Sequence, residues 1–73
     1  MKKTLYKFVN IYGVKYVTFF MYDENNVLTH SGYNDFYCNL YDFDKYEKTL
    51  RKDYEKLSDV ELIIERLDKI RKW

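Results

Sequence analysis

The chain has no proline, no alanine and no glutamine among its 73 residues, and only one cysteine, one histidine and two glycines. Each scarcity closes a route. A lone Cys38 excludes an intrachain disulfide, and together with the absence of a secretory leader it suits a reducing, cytoplasmic compartment. His30 and Cys38 by themselves cannot complete a zinc set of three or four ligands, and a nucleophilic thiol needs an activating base beside it. His30 is therefore read as a polar residue near a turn and Cys38 as a small buried hydrophobe. Two glycines cannot build a glycine-rich phosphate loop. No apolar run approaches the roughly 20 residues that span a bilayer, so no membrane segment is expected. No metal or other cofactor is expected either.

Aromatics are abundant, at 21% of residues with nine tyrosines and five phenylalanines. A chain this short buries only roughly 60% of its unfolded surface, so it needs a dense core or a second copy of itself. The net charge of +1 hides a pattern. Residues 1–22 carry four lysines and no acid, residues 23–47 six acids and one lysine, and residues 48–73 eight bases and six acids. The acidic third contains YNDFYCNLYDFDKY at 33–46, in which six aromatics alternate with three aspartates and a lysine.

No repeat, linker or low-complexity tail divides the chain, so residues 1–73 read as one domain. Residues 3–12 and 14–22 are rich in β-branched and aromatic types, and Gly13 between them offers the positive φ of a tight hairpin turn. The pairing puts Leu5, Val9, Ile11, Val14, Tyr16 and Phe20 on one face, and Tyr6, Phe8, Val17, Phe19 and Met21 on the other. DENN at 23–26 reads as a second turn, VLTHS at 27–31 as a third strand, and 32–34 as a further turn. Residues 35–41 fit a fourth strand, with Phe36, Cys38 and Leu40 inward and Tyr37, Asn39 and Tyr41 outward; an early helical turn is the alternative.

Two helices are expected beyond. The first covers 44–57, with Asp44 as N-cap, Glu47 as returning carboxylate and a stripe of Tyr46, Leu50, Tyr54 and Leu57. The second covers 59–72, with Ser58 and Glu61 as a capping box and Val60, Ile63, Ile64, Leu67 and Ile70 as its stripe. The expected fold is α+β: a three- or four-stranded antiparallel sheet over residues 1–41, then two C-terminal helices packed on one face. Both faces of the first hairpin are apolar, so a second copy of the chain is the simplest cover for the other, giving a homodimer through the sheet.

No residue set points to catalysis, and an enzyme is not expected. The acids at 35, 42 and 44 are the weak candidate for a carboxylate pair, since helix N-termini attract aspartate for electrostatic reasons alone. A binding surface is expected instead at Asp23, Glu24, Asp35, Tyr37, Tyr41, Asp42 and Asp44, because tyrosine is enriched at protein interfaces and carboxylates meet arginine or lysine on a partner. The competing surface is basic. Lys45, Lys48, Lys52 and Lys56 recur at spacings of three, four and four, with Arg51 beside them, and such a ridge can track phosphates in DNA or RNA. The plainer reading pairs these charges with Asp44, Glu47, Asp53 and Glu55.

At the level of type, the chain resembles the small phage-encoded proteins that inhibit host enzymes, among them anti-CRISPR proteins and the phage inhibitors of uracil-DNA glycosylase. What carries the resemblance is the short length, a usage biased to AT-rich codons, the lack of catalytic residues, and the acidic aromatic segment Tyr33 to Tyr46 with Asp23 and Glu24. The resemblance implies a non-enzymatic inhibitor in the cytoplasm of a bacterial cell, whose partner is a host nucleic-acid enzyme or defence complex. No family residue carries over, and the near-neutral net charge departs from the strongly acidic members of that group.

Overall fold

The computed structural model describes residues 1–11, 13–33 and 43–69. Among these residues, four strands and one helix follow in the order β1 (Lys2–Ile11), β2 (Val14–Tyr22), β3 (Leu28–Tyr33), α1 (Phe43–Glu55) and β4 (Val60–Lys69). They form an α+β fold with one four-stranded sheet in the order β3-β2-β1-β4. The β1–β2 and β2–β3 pairs are antiparallel, and β4 runs parallel to β1.

The first hairpin matches its expected register. Leu5 faces Phe20, Phe8 faces Val17 and Ile11 faces Val14. Gly13 takes φ of 77°, the left-handed conformation that a tight two-residue link requires. The second turn forms at 23–27 for a side-chain reason. The Asp23 Oδ1 accepts hydrogen bonds from the backbone N–H of Asn25 (2.8 Å) and of Val27 (3.0 Å), while Asn26 takes φ of 60°. Aspartate and asparagine favour such turns by this means. The third strand runs further than expected: Gly32 and Tyr33 belong to β3 rather than to a turn. Gly32 pairs with Phe19 across the ladder, and the extra rungs extend the sheet. The expected strand or helical turn at 35–41 lies outside the described residues.

The first helix begins one residue earlier than expected and ends two residues sooner. Asp44 therefore sits inside its first turn rather than at the N-cap. Phe43 and Leu50 are buried, and Tyr46 and Tyr54 are half-buried beside them. Leu57, expected on the same stripe, lies past the helix end and is 47% exposed.

The second helix is absent; residues 60–69 form β4. Val60, Ile63, Ile64 and Leu67 do fit a helical stripe, but Val60, Leu62 and Ile64 also alternate with Glu61, Ile63 and Glu65 as a strand requires. What decides is β1. Its far edge would otherwise present unpaired backbone groups. Ten residues of β4 answer them in register, from Lys2 opposite Val60 to Ile11 opposite Lys69, and Lys2 N–H donates to the Asp59 carbonyl at 2.9 Å. The helix α1 provides the crossover that a parallel neighbour needs. The sheet is consequently mixed rather than antiparallel, and among the described residues one helix rather than two covers it.

The pleat sends alternate residues of each strand to opposite faces. On the covered face, Phe8, Val17, Phe43 and Leu50 form the core, and Tyr6, Tyr46, Tyr54 and Ile64 pack around them. Phe8 and Phe43 stack with centroids 5.0 Å apart, and Tyr46 meets Phe8 edge-on at 5.9 Å. Burial, with the Tyr54 hydroxyl beside it, holds the Tyr6 phenol above the ordinary tyrosine range.

Candidate functional site

The open face of the sheet is built from rows that run across the strands. Phe20, Leu5 and Ile63 stand opposite one another in one row, and Tyr16, Val9 and Leu67 in another. Between these apolar rows runs a polar one of Thr18, Lys7 and Glu65. Lys7 Nζ lies 3.9 Å from Glu65 Oε2 and 5.8 Å from the centre of the Phe20 ring. No helix lies on this face among the described residues. Val14, Ile63 and Leu67 keep 45%, 36% and 38% of their surface exposed.

The outward face of α1 has the opposite character. At 100° per residue, Lys45, Lys48, Lys52 and Lys56 point away from Phe43, Leu50 and Tyr54, which face the sheet. All four lysines are exposed, and the expected ridge is present, Lys56 sitting in the turn just past the helix end. Arg51 stands on its flank. There Arg51 Nη2 pairs with Glu47 Oε1 at 3.0 Å, and Arg66 from β4 reaches Asp44 Oδ1 at 2.8 Å and Glu47 Oε2 at 3.5 Å. Two of the four acids expected to neutralise the lysines are thus held by arginines. Among the described residues, none of the four lysines makes an ion pair.

Of the acidic surface, Asp35, Tyr37, Tyr41 and Asp42 lie outside the described residues. Asp23 shapes its own turn through the two backbone hydrogen bonds above, and Glu24 is exposed beside it. Asp44 belongs to the Arg66 cluster on the helix flank. Arg66, Ile63 and Leu67 were missed as surface determinants because 59–72 reads as a helix; the alternation in VELIIER is the signal that places them.

A cleft of about 420 Å³ lies where β1 begins and α1 ends. Thr4, Met21, His30 and Val60 line it from the sheet, and Tyr54 and Leu57 from the other side. His30 Nδ1 is 3.3 Å from Thr29 Oγ1. Among the described residues, no group of three potential metal ligands comes together, and no helix is long and apolar enough to cross a membrane. No protein-family model, curated protein or solved structure matches the chain.

Proposed function

We propose that this protein acts by binding another protein, without catalysing a reaction, and that the open face of its sheet is the contact surface. The observation that carries this reading is the pair of apolar rows, Phe20–Leu5–Ile63 and Tyr16–Val9–Leu67, ending in exposed Ile63 and Leu67. Monomeric proteins seldom leave large apolar patches in water, and here one polar row, Thr18–Lys7–Glu65, separates the two apolar ones. Four strands of up to ten residues give a footprint of about 30 by 20 Å, roughly 600 Å², which reaches the lower end of what one partner contributes to a stable interface. Lys7 and Glu65 between the rows supply the fixed charges that set orientation in such contacts. Inhibition of a host nucleic-acid enzyme or defence complex is the setting that the acidic aromatic segment supports.

The test is co-purification from bacterial lysate with the wild type and with an Ile63→Ser, Leu67→Ser variant, after sedimentation has established whether the protein self-associates. A protein retained by the wild type and lost with the variant supports the reading. Concentration-dependent dimers that the variant abolishes assign the face to a second copy of the chain. A partner retained equally by both moves the contact surface off this face.

A further inference from the structure

We propose that the outward face of α1 binds the phosphate backbone of a nucleic acid without reading its sequence, on the side of the molecule opposite the open sheet face. Lys45, Lys48, Lys52 and Lys56 are all exposed on this face. Lys45 to Lys52 span about 10 Å of helix, and Lys56 follows in the turn just past its end. A duplex carries one phosphate charge per ~1.7 Å of axis over its two strands, so a ridge of this length has enough phosphates within reach for each of its four lysines.

Charge complementarity carries the argument. A helix with nearly equal acids and bases ordinarily neutralises itself through pairs four residues apart. Here Arg66, contributed by β4, takes Asp44 and shares Glu47 with Arg51. Among the described residues, the four lysines are left with only Asp53 and Glu55 on their flanks, neither in an ion pair with them. The parallel placement of β4 thus makes the ridge a net cationic surface.

The occupant follows from what else is on this face. Thr49 is the only uncharged side chain between the lysines, and its hydroxyl donates to the Lys45 carbonyl at 3.0 Å. No exposed apolar side chain of the helix is available to enter a bilayer, because Phe43, Tyr46, Leu50 and Tyr54 face the sheet. A protein interface wants an apolar anchor at its centre, and the ridge has none. Among the described residues, no aromatic or amide side chain lies among the lysines to stack on bases or read their edges, which leaves contact with phosphates. Because the two surfaces lie on opposite sides of the sheet–helix layer, a protein partner and its nucleic acid can be held together.

Fluorescence anisotropy with a labelled single strand and a labelled duplex tests this. Four phosphate contacts predict that affinity falls about 50-fold for the single strand, and about 150-fold for the duplex, between about 50 and 200 mM salt. Each Lys→Gln change along the ridge lowers the salt slope by about one. Lys48→Glu with Lys52→Glu abolishes binding at low salt with an unchanged circular dichroism spectrum, whereas Lys7→Gln, on the open face, leaves binding intact. Absence of binding at about 50 mM salt overturns the proposal. So does loss of binding with Lys7→Gln equal to that with the ridge variants. Equal competition by polyglutamate or by phosphatidylserine vesicles also overturns it, by showing a patch that takes any polyanion. Each of these results leaves the protein-binding role of the sheet face standing, since that role is read from Ile63 and Leu67.

Discussion

The two faces of the sheet are made from the same three long strands and much the same residue types, yet they do different work. On one, Tyr6, Phe8 and Val17 meet Phe43, Tyr46, Leu50 and Tyr54 from the helix, and Phe8 is fully buried. On the other, Leu5, Val9, Phe20, Ile63 and Leu67 form comparable apolar rows that no described element covers. Apolar character therefore says little about role until the position of the covering helix is known. Charges divide in the same way. On the covered side, Arg66 and Lys15 lie over the Phe43 ring at 5.9 and 5.3 Å, extending the packing of the core edge. On the open side, Lys7 and Glu65 hold each other loosely between the apolar rows.

The two faces differ most in what they lose when one large side chain is removed from each. Phe8→Ala should cost about 3–5 kcal/mol in urea unfolding, through lost burial and the cavity left against Phe43. Phe20→Ala should cost less than half as much. Equal costs would mean that the open face is as well packed as the covered one.

A smaller effect is expected where the covered face passes β3. A methyl group added at Gly32 would lie 2.9 Å from Phe19 Cε1 and 3.1 Å from its Cζ. Gly32→Ala should destabilise by about 1–3 kcal/mol through overpacking. Combining it with Phe19→Leu should recover part of that loss, and additive losses would argue against the steric cause.

Alkaline pH acts on the covered face through Tyr6. The folded state holds the Tyr6 phenol protonated beyond its ordinary range, by burial first and by Tyr54 next. Folded Tyr6 therefore keeps its proton at a pH where the unfolded chain loses it. The stabilisation is present below the ordinary tyrosine pKa of about 10 and declines as pH rises past it. Tyr6→Phe should flatten that decline relative to the wild type; identical slopes would place Tyr6 in water. The smallest stability effect belongs to the open face itself. Ile63→Ser and Leu67→Ser should each change stability by about 1 kcal/mol or less, as half-exposed positions do. Their consequence should appear in partner binding.

Legibility differed along the chain for physical reasons. The hairpin and the facing of its residues were readable because strand pairing across a two-residue turn depends on neighbours close in sequence. Leu5, Val9 and Phe20 therefore fall together on one face from the sequence alone, whereas which face the helix covers, and the place of Ile63 and Leu67 on the other, do not. The lysine ridge was readable because helical periodicity alone puts Lys45, Lys48, Lys52 and Lys56 on one side. The fate of their counter-charges was not, since Arg66 is 22 residues from Asp44 in the chain.

What the sequence determined by itself were the local features: Gly13 at the hairpin, Asp23 and Asn26 in the second turn, and an amphipathic helix starting near residue 43. Each rests on one residue's conformational freedom, one short-range hydrogen bond or one period. Only the tertiary structure decided the state of residues 60–69, because VELIIERLDK satisfies both a helical stripe and a strand alternation. The open edge of β1 resolved that ambiguity by offering a ten-residue backbone ladder, and the parallel strand it captured brought Arg66 to Asp44 and Glu47. Hydrogen bonding between segments nearly sixty residues apart leaves no periodic trace in either segment alone, and the charge of the helix surface follows from it.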